Sequence, residues 1–215
     1  MAPLLLIFKQ KRMAQFQTIE KRTPTQYDIH ELLENRWSPR AFASTPVSET
    51  EVRTLLEAGR WAPSSNNIQP WRIIWGAKGS KPYERIFNCL DPFNRSWAGS
   101  AQILWICAYK KDGKDGQTEN FHALHDLGLF MGNVLTQAQY MGIAVHQMAG
   151  LDYEKAKSEF EFPANYHVAT AVAFGYYGGD PDTLPDDLRQ EEINSERNRK
   201  SQDEFAFNGN FQQQK

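Results

Sequence analysis

Apolar positions along the chain fall into alternating helical and strand-like periods. After Ser48-Glu49-Thr50-Glu51, which reads as a capping box, Val52, Leu55, Leu56 and Gly59 recur at helical spacing. Asp28 to Asn35 forms a shorter helical stretch before it. Trp71-Arg72-Ile73-Ile74-Trp75 predicts a strand ended by Gly76, and a helical piece over Pro82–Leu90 leads to a second strand, Ile103–Tyr109. The longest helix is expected from about Asn120 to Tyr140. Its apolar positions Leu124, Leu127, Phe130, Met131, Val134, Leu135 and Ala138 cover a wide face, and Gly142 stops it. A strand (Ile143–Gln147), a helix (Asp152–Phe160), a long strand (His167–Gly175) and a polar helix near Pro185–Arg197 complete the order. Helices and short strands thus interleave around one sheet, which says α+β or α/β and leaves strand order open.

A chain of 215 residues fits one large domain and needs no disulfide or structural metal to fold. Neither a repeat nor a low-complexity linker divides it, so residues 26–215 are read as a single domain and residues 1–25 as a loosely ordered extension. The apolar run Pro3–Phe8 is too short for a signal sequence or a membrane span. Its basic residues Lys9, Lys11 and Arg12 follow it rather than precede it, and Met13 is a plausible start. A net charge of −2 gives no reason to expect nucleic acid. Cys89 and Cys107 form no metal or redox spacing, which points to free thiols in a reducing compartment and a cytoplasmic location.

Several familiar chemistries are missing from the sequence. No G-x-G-x-x-G follows a strand, and there is no P-loop, no G-x-S-x-G elbow and no H-E-x-x-H. His122, His125 and Asp126 stand at i, i+3, i+4, yet with no further ligand cluster they read as a polar helix edge, not a metal site. Asn94-Arg95-Ser96 matches a glycosylation sequon, which has no meaning without a secretory signal.

Three segments carry candidate chemistry. Arg36-Trp37-Ser38-Pro39-Arg40 sets two guanidinium groups beside a hydroxyl, a combination suited to phosphate and to the charge of a reduced flavin ring. Ala62-Pro63-Ser64-Ser65-Asn66-Asn67-Ile68-Gln69-Pro70-Trp71 packs serines, amides and prolines into one loop, more than a capped turn needs. Arg197-Asn198-Arg199-Lys200 reads by itself as a soluble basic tail.

Taken in order, these segments resemble the nitroreductase family of flavoproteins. The likeness continues through Asn94–Trp97, Met141-Gly142-Ile143, Ala149-Gly150-Leu151-Asp152 and Phe174-Gly175-Tyr176, and spans about Asp28 to Phe211. The resemblance implies a nitroreductase-like α+β fold with a mixed, mostly antiparallel central sheet flanked by helices. It also implies a homodimer with FMN at the subunit interface. Arg36, Trp37, Ser38 and Arg40 would then meet the phosphate, the ribityl chain and the N1/O2 region, with Arg197 and Arg199 closing on the phosphate. Pro63, Ser64, Ser65, Asn67 and Gln69 would reach the flavin from the partner subunit. Asn94 would hold the pyrimidine edge, and Ala149 and Gly150 would offer a backbone N–H to N5. Many members carry a lysine near the position of Trp97, so in this chain stabilisation of the reduced ring would fall more on Arg40, and several carry an acidic residue where Ala149 stands.

The implied activity is a ping-pong transfer of reducing equivalents from NAD(P)H to nitroaromatics, quinones or similar flat acceptors. Alternatives are flavin, enone or dehalogenating reduction on the same scaffold, or a non-catalytic FMN-binding module. No side chain is singled out as catalytic, Phe121, His122 and His125 are only candidate substrate-side residues, and nothing chooses NADH over NADPH.

Overall fold

The computed structural model of the chain describes residues 19–211. Of the extension expected to be loosely ordered over residues 1–25, residues 1–18 fall outside that range, and Lys21 and Thr23 are hydrogen-bonded to the rest of the chain. Four strands, β1 (Trp71–Ala77), β2 (Ile103–Lys110), β3 (Ile143–Met148) and β4 (Tyr166–Tyr176), form one sheet in the order β1-β2-β4-β3. Every pairing in it is antiparallel, with Ile74 opposite Ile106, Ile106 opposite Ala171, and His146 opposite Ala173.

Both faces of this sheet are covered, which explains why β2 is an unbroken apolar run and not an alternating one. Leu104, Ile106 and Ala108 point to a core shared with Trp37, Phe42, Tyr83 and Ile86. Ile103, Trp105 and Cys107 point to the opposite core, with Val52, Leu55, Phe130 and Val134. The second core is closed by α2 (Glu49–Arg60) and α5 (Ala123–Tyr140), following a short α1 (Glu31–Glu34). Gly59 lets the Phe130 ring lie directly on α2, because a methyl group there would overlap the ring. The capping box is present, with Ser48 Oγ accepting from Glu51 N and Glu51 Oε2 accepting from Ser48 N at 2.9 Å. Gly142, at φ +75°, takes the left-handed turn that ends α5.

The first core is closed by α3 (Lys81–Cys89), α4 (Pro92–Ala98) and α6 (Tyr153–Glu159), while α7 (Asp186–Ile193) precedes the basic tail. Three details differ from the sequence expectation. The helix α4 was not anticipated, although Asp91 caps it by accepting from Asn94 N and Pro92 opens it. β1 runs through Gly76 to Ala77: that glycine admits the α3 backbone at Tyr83 rather than ending the strand. The polar helix stops at Ile193, and the extended backbone beyond it brings Arg197 back toward residues 21–34.

Candidate functional site

The segment from Trp37 to Ala43 has no regular secondary structure, so its polar backbone groups must be satisfied from elsewhere. Tyr177, whose burial raises its pKa to about 12, donates to Trp37 O at 3.2 Å. His146 Nδ1 lies 3.0 Å from Pro39 O. The Glu192 carboxylate accepts from Arg40 N and Ala41 N at 3.0–3.1 Å. Ser100 Oγ donates to Arg40 O at 3.0 Å and accepts from Phe42 N, and Ala43 N donates to Tyr176 O. Gly179 lies against Ala41 and Phe42 so closely that a side chain would overlap their backbone. The segment is therefore a rigid mount for the side chains of Arg36, Ser38 and Arg40.

Two of those side chains stand together. Arg36 Nη1 donates to Ser38 Oγ at 3.2 Å, and Arg36 lines a cavity of about 810 Å³ with Arg197, Arg199, Lys200, Tyr27 and Phe205. Arg197 Nη1 is anchored on Lys21 O, Thr23 Oγ1 and Glu34 O. Its pKa is lowered, first by burial and then by the charges of Arg36 and Arg199. Among the described residues none of these three guanidinium groups forms an ion pair with a carboxylate. Uncompensated like charges at one wall call for an anion.

Arg40 is placed differently. Its Nη1 pairs with Glu191 Oε2 at 2.7 Å and its Nε is buried without a partner. Lys21 adjoins this group, buried over the Trp37 ring with Nζ donating to Glu191 O. Burial lowers the Lys21 pKa and raises that of Glu192, each opposed by the other's charge.

A second group forms around Gly150. The buried Asn94 donates its Nδ2 to Gly150 O at 2.9 Å, and a Cβ on Gly150 would overlap both Asn94 and Asp91. Ala149 and Gly150 line an open pocket of about 420 Å³ with Asp91, Arg95 and Lys155. Trp97, one turn beyond Asn94, packs its ring 4.5 Å from His146, so this group and the Arg36–Arg40 mount share one imidazole.

The third group stands apart. Ser65–Asn67 form a single 3-10 turn, and Asn66, Asn67 and Gln69 all take φ between +50° and +54°. The left-handed region suits asparagine tolerably and glutamine poorly, so the loop must be held in place. Asp126, at 2% exposure, accepts from Ser65 N at 3.2 Å. Ser64 Oγ accepts from Gln69 N, and Gln69 Nε2 donates to Asn67 Oδ1. Pro63 and Asn67 are exposed. Among the described residues no hydrogen bond or ion pair joins this loop to the other two groups.

His122 and His125 are exposed with Phe121, and no group of three or more His, Cys, Asp or Glu among the described residues could hold a metal. Both cysteines are buried, and burial raises their pKa values. Among the described residues no helix is long and apolar enough to cross a membrane. Sequence reasoning missed His146 and Glu192, and it read Asp126 as part of a polar helix edge although that carboxylate is buried. Each acts on backbone atoms far away in the chain, and no local spacing signals such a contact.

Comparison with known proteins adds an independent line. The chain is similar to a solved oxidoreductase containing FMN, at 29% identity, a TM-score of 0.84 and coverage of 91% of this chain and 99% of that one. It is 26% identical over 166 residues to a Streptomyces coelicolor protein assigned as NADH dehydrogenase/NAD(P)H nitroreductase, covering 67% of this chain and 82% of that protein. A shorter match, 45% identical over 49 residues, is to the nitrobenzene nitroreductase of Ectopseudomonas oleovorans and covers 23% of this chain and 22% of that protein. The Nitroreductase family model matches residues 33–90 and 77–176. With its antiparallel sheet, its cationic cavity and that match in agreement, the chain belongs to the nitroreductase family.

Proposed function

We propose that the protein is an FMN-dependent NAD(P)H oxidoreductase. It would work as a homodimer, with residues 26–215 as the flavin-binding domain. The observation that carries this reading is the cluster of Arg36, Arg197 and Arg199 on one cavity, with no carboxylate among the described residues paired to it. A 5′-phosphate supplies the missing charge and accepts forked guanidinium hydrogen bonds. The bound flavin supplies the hydride chemistry that no side chain here offers.

The chain's own residues bind and orient. Arg36, Arg197 and Arg199 hold the phosphate, and Ser38 faces the ribityl chain. Arg40 lends positive charge from beside Trp37, with Glu191 balancing it. Asn94 and the Ala149-Gly150 backbone would meet the ring, and Gly150, lacking a Cβ, leaves room for the Asn94 amide that holds its carbonyl. The separate loop of Pro63, Ser64, Ser65, Asn67 and Gln69, rigid and outward-facing, serves the partner's flavin. The nicotinamide donor and the acceptor, a nitroaromatic, a quinone or another flat conjugated compound, occupy one face in turn, which gives ping-pong kinetics. Solvent protonates such acceptors, so no acid or base residue is required.

The first test is a visible spectrum of the purified protein before and after anaerobic NADH or NADPH. Flavin bands that bleach support the reading, and the faster donor gives the preference. A protein that stays colourless and cannot be loaded with FMN would overturn it. Turnover on a panel of nitro, quinone, enone and halogenated acceptors then separates the reactions possible on this scaffold.

A further inference from the structure

We propose that His146 is a positioning residue of the flavin site, fixing the Ser38–Arg40 segment to the strand that ends in Ala149-Gly150, and that it does so as the neutral imidazole. The proposal rests on the FMN reading above.

One ring links the Ser38–Arg40 segment to the helix that carries Asn94. His146 Nδ1 is 3.0 Å from Pro39 O, and a carbonyl only accepts, so Nδ1 carries the proton. Pro39 lies between Ser38 and Arg40. It has no N–H, which leaves its carbonyl as the one backbone handle at that residue. The opposite side of the ring packs on Trp97, from the helix whose Asn94 holds Gly150 O. Two residues after His146, β3 ends at Met148 and passes directly into Ala149-Gly150. The imidazole thus sets the spacing between the phosphate-binding mount and the Gly150 edge.

Protonation would undermine this arrangement. The charged groups that face the ring are Arg40 and Arg36, both cationic, while α4 presents the Trp97 ring and β4 presents Ala173. Among the described residues no carboxylate pairs with His146. Burial, reinforced by the two arginines and opposed by the backbone of Pro39 and Ser38, lowers its pKa from 6.5 to about 4. A folded-state pKa below the ordinary value means that the unfolded or released state takes the proton first. The stability contributed by the buried neutral ring is therefore fully present above about pH 6.5 and falls as pH drops toward 4: the Nδ1–H bond to Pro39 O survives protonation, but the cation would have to stay buried beside two arginines.

The test compares wild type with His146→Gln, whose amide N–H can still reach Pro39 O, and with His146→Leu, which has no donor. FMN dissociation constants are measured at pH 7.5 and pH 5, and thermal midpoints of the flavin-free proteins across the same range. At pH 7.5, His146→Leu should bind FMN about tenfold more weakly, the effect of one ordinary hydrogen bond, and His146→Gln should restore most of that. Between pH 7.5 and pH 5 the wild type should lose about tenfold more affinity than His146→Gln, since titration of the phosphate is common to both. The flavin-free wild type should also lose thermal stability on acidification where His146→Gln does not. Leu binding FMN as tightly as wild type, or Gln following the wild-type pH slope, overturns the proposal. If no protein binds FMN, the flavin reading fails, and the thermal midpoints still decide whether His146 clamps the segment.

Discussion

Arg197 gives three hydrogen bonds to Lys21 O, Thr23 Oγ1 and Glu34 O, whereas Arg36 gives one to Ser38 and Arg199 one to its neighbouring carbonyl. The three arginines should therefore separate in mutagenesis, although all line the same cavity. Arg36→Ala and Arg199→Ala should each weaken FMN by about 1.5–3 kcal/mol, the range of a hydrogen bond to a charged group, and leave the thermal midpoint of the flavin-free protein unchanged. Arg197→Ala should weaken FMN and lower that midpoint, because Lys21 O and Thr23 Oγ1 lose their donor while Glu34 O keeps only Thr23 N. Isothermal titration beside thermal melts distinguishes the cases. Unchanged FMN affinity in both Arg36→Ala and Arg199→Ala would remove the phosphate site. Riboflavin gives the complementary measurement: lacking the phosphate, it should bind wild type far more weakly than FMN, and the three variants should narrow that difference.

At the scale of elements, two helices act on loops through single buried carboxylates. Glu192 of α7 covers Arg40 N and Ala41 N. Glu192→Ala strands both, at about 1–3 kcal/mol for each buried unsatisfied donor. A chain of this size shifts by about 2–4 °C per kcal/mol, so a melt should show a clear drop. The pH signature of Glu192 is opposite to that of His146. Burial raises its pKa, so the folded chain holds the proton more tightly, and its contribution falls as pH rises above the ordinary carboxylate value. Asp126 of α5 does the same for Ser65 N. Asp126→Ala should weaken FMN while Asp126→Asn, which retains an acceptor, should not; equal affinity in both variants would mean that the loop keeps its shape unaided. These contacts also mark where sequence reading stops. The long helix, β2, β4 and the capping box were legible because periodicity and capping are local. The segments 36–40, 63–71 and 197–199 were legible as residue types. Their division into a cavity, a Gly150 edge and a separate loop was not, because it depends on tertiary contacts such as His146 with Pro39. The helix α4 could have been read from Asp91-Pro92, a cap followed by proline at the first helical turn.

For the whole molecule, the isolation of the Ser64–Gln69 loop from the other two groups decides how many chains make one site. Asp126 holds its Ser65 N, and Ser64 and Gln69 tie the left-handed stretch within the loop, yet no described hydrogen bond or ion pair connects it to the cationic cavity of its own chain. A rigid polar loop with nothing to bind at home is expected to act on a second copy. Mixed dimers test this directly. One chain carries Arg36→Ala with Arg199→Ala and the other carries Ser64→Ala with Asn67→Ala; each homodimer should bind little FMN. If the loop serves the partner, the mixed dimer combines one doubly defective site with one intact site. Differently tagged, purified mixed dimers should then hold about one FMN per two chains at wild-type affinity, since all contacts of the intact site are present. If the loop serves its own chain, both sites in the mixed dimer carry one defect each, and no tight FMN appears. A protein that stays monomeric at every concentration while binding FMN tightly would place the whole site in one chain, and the orphan loop would then need another partner.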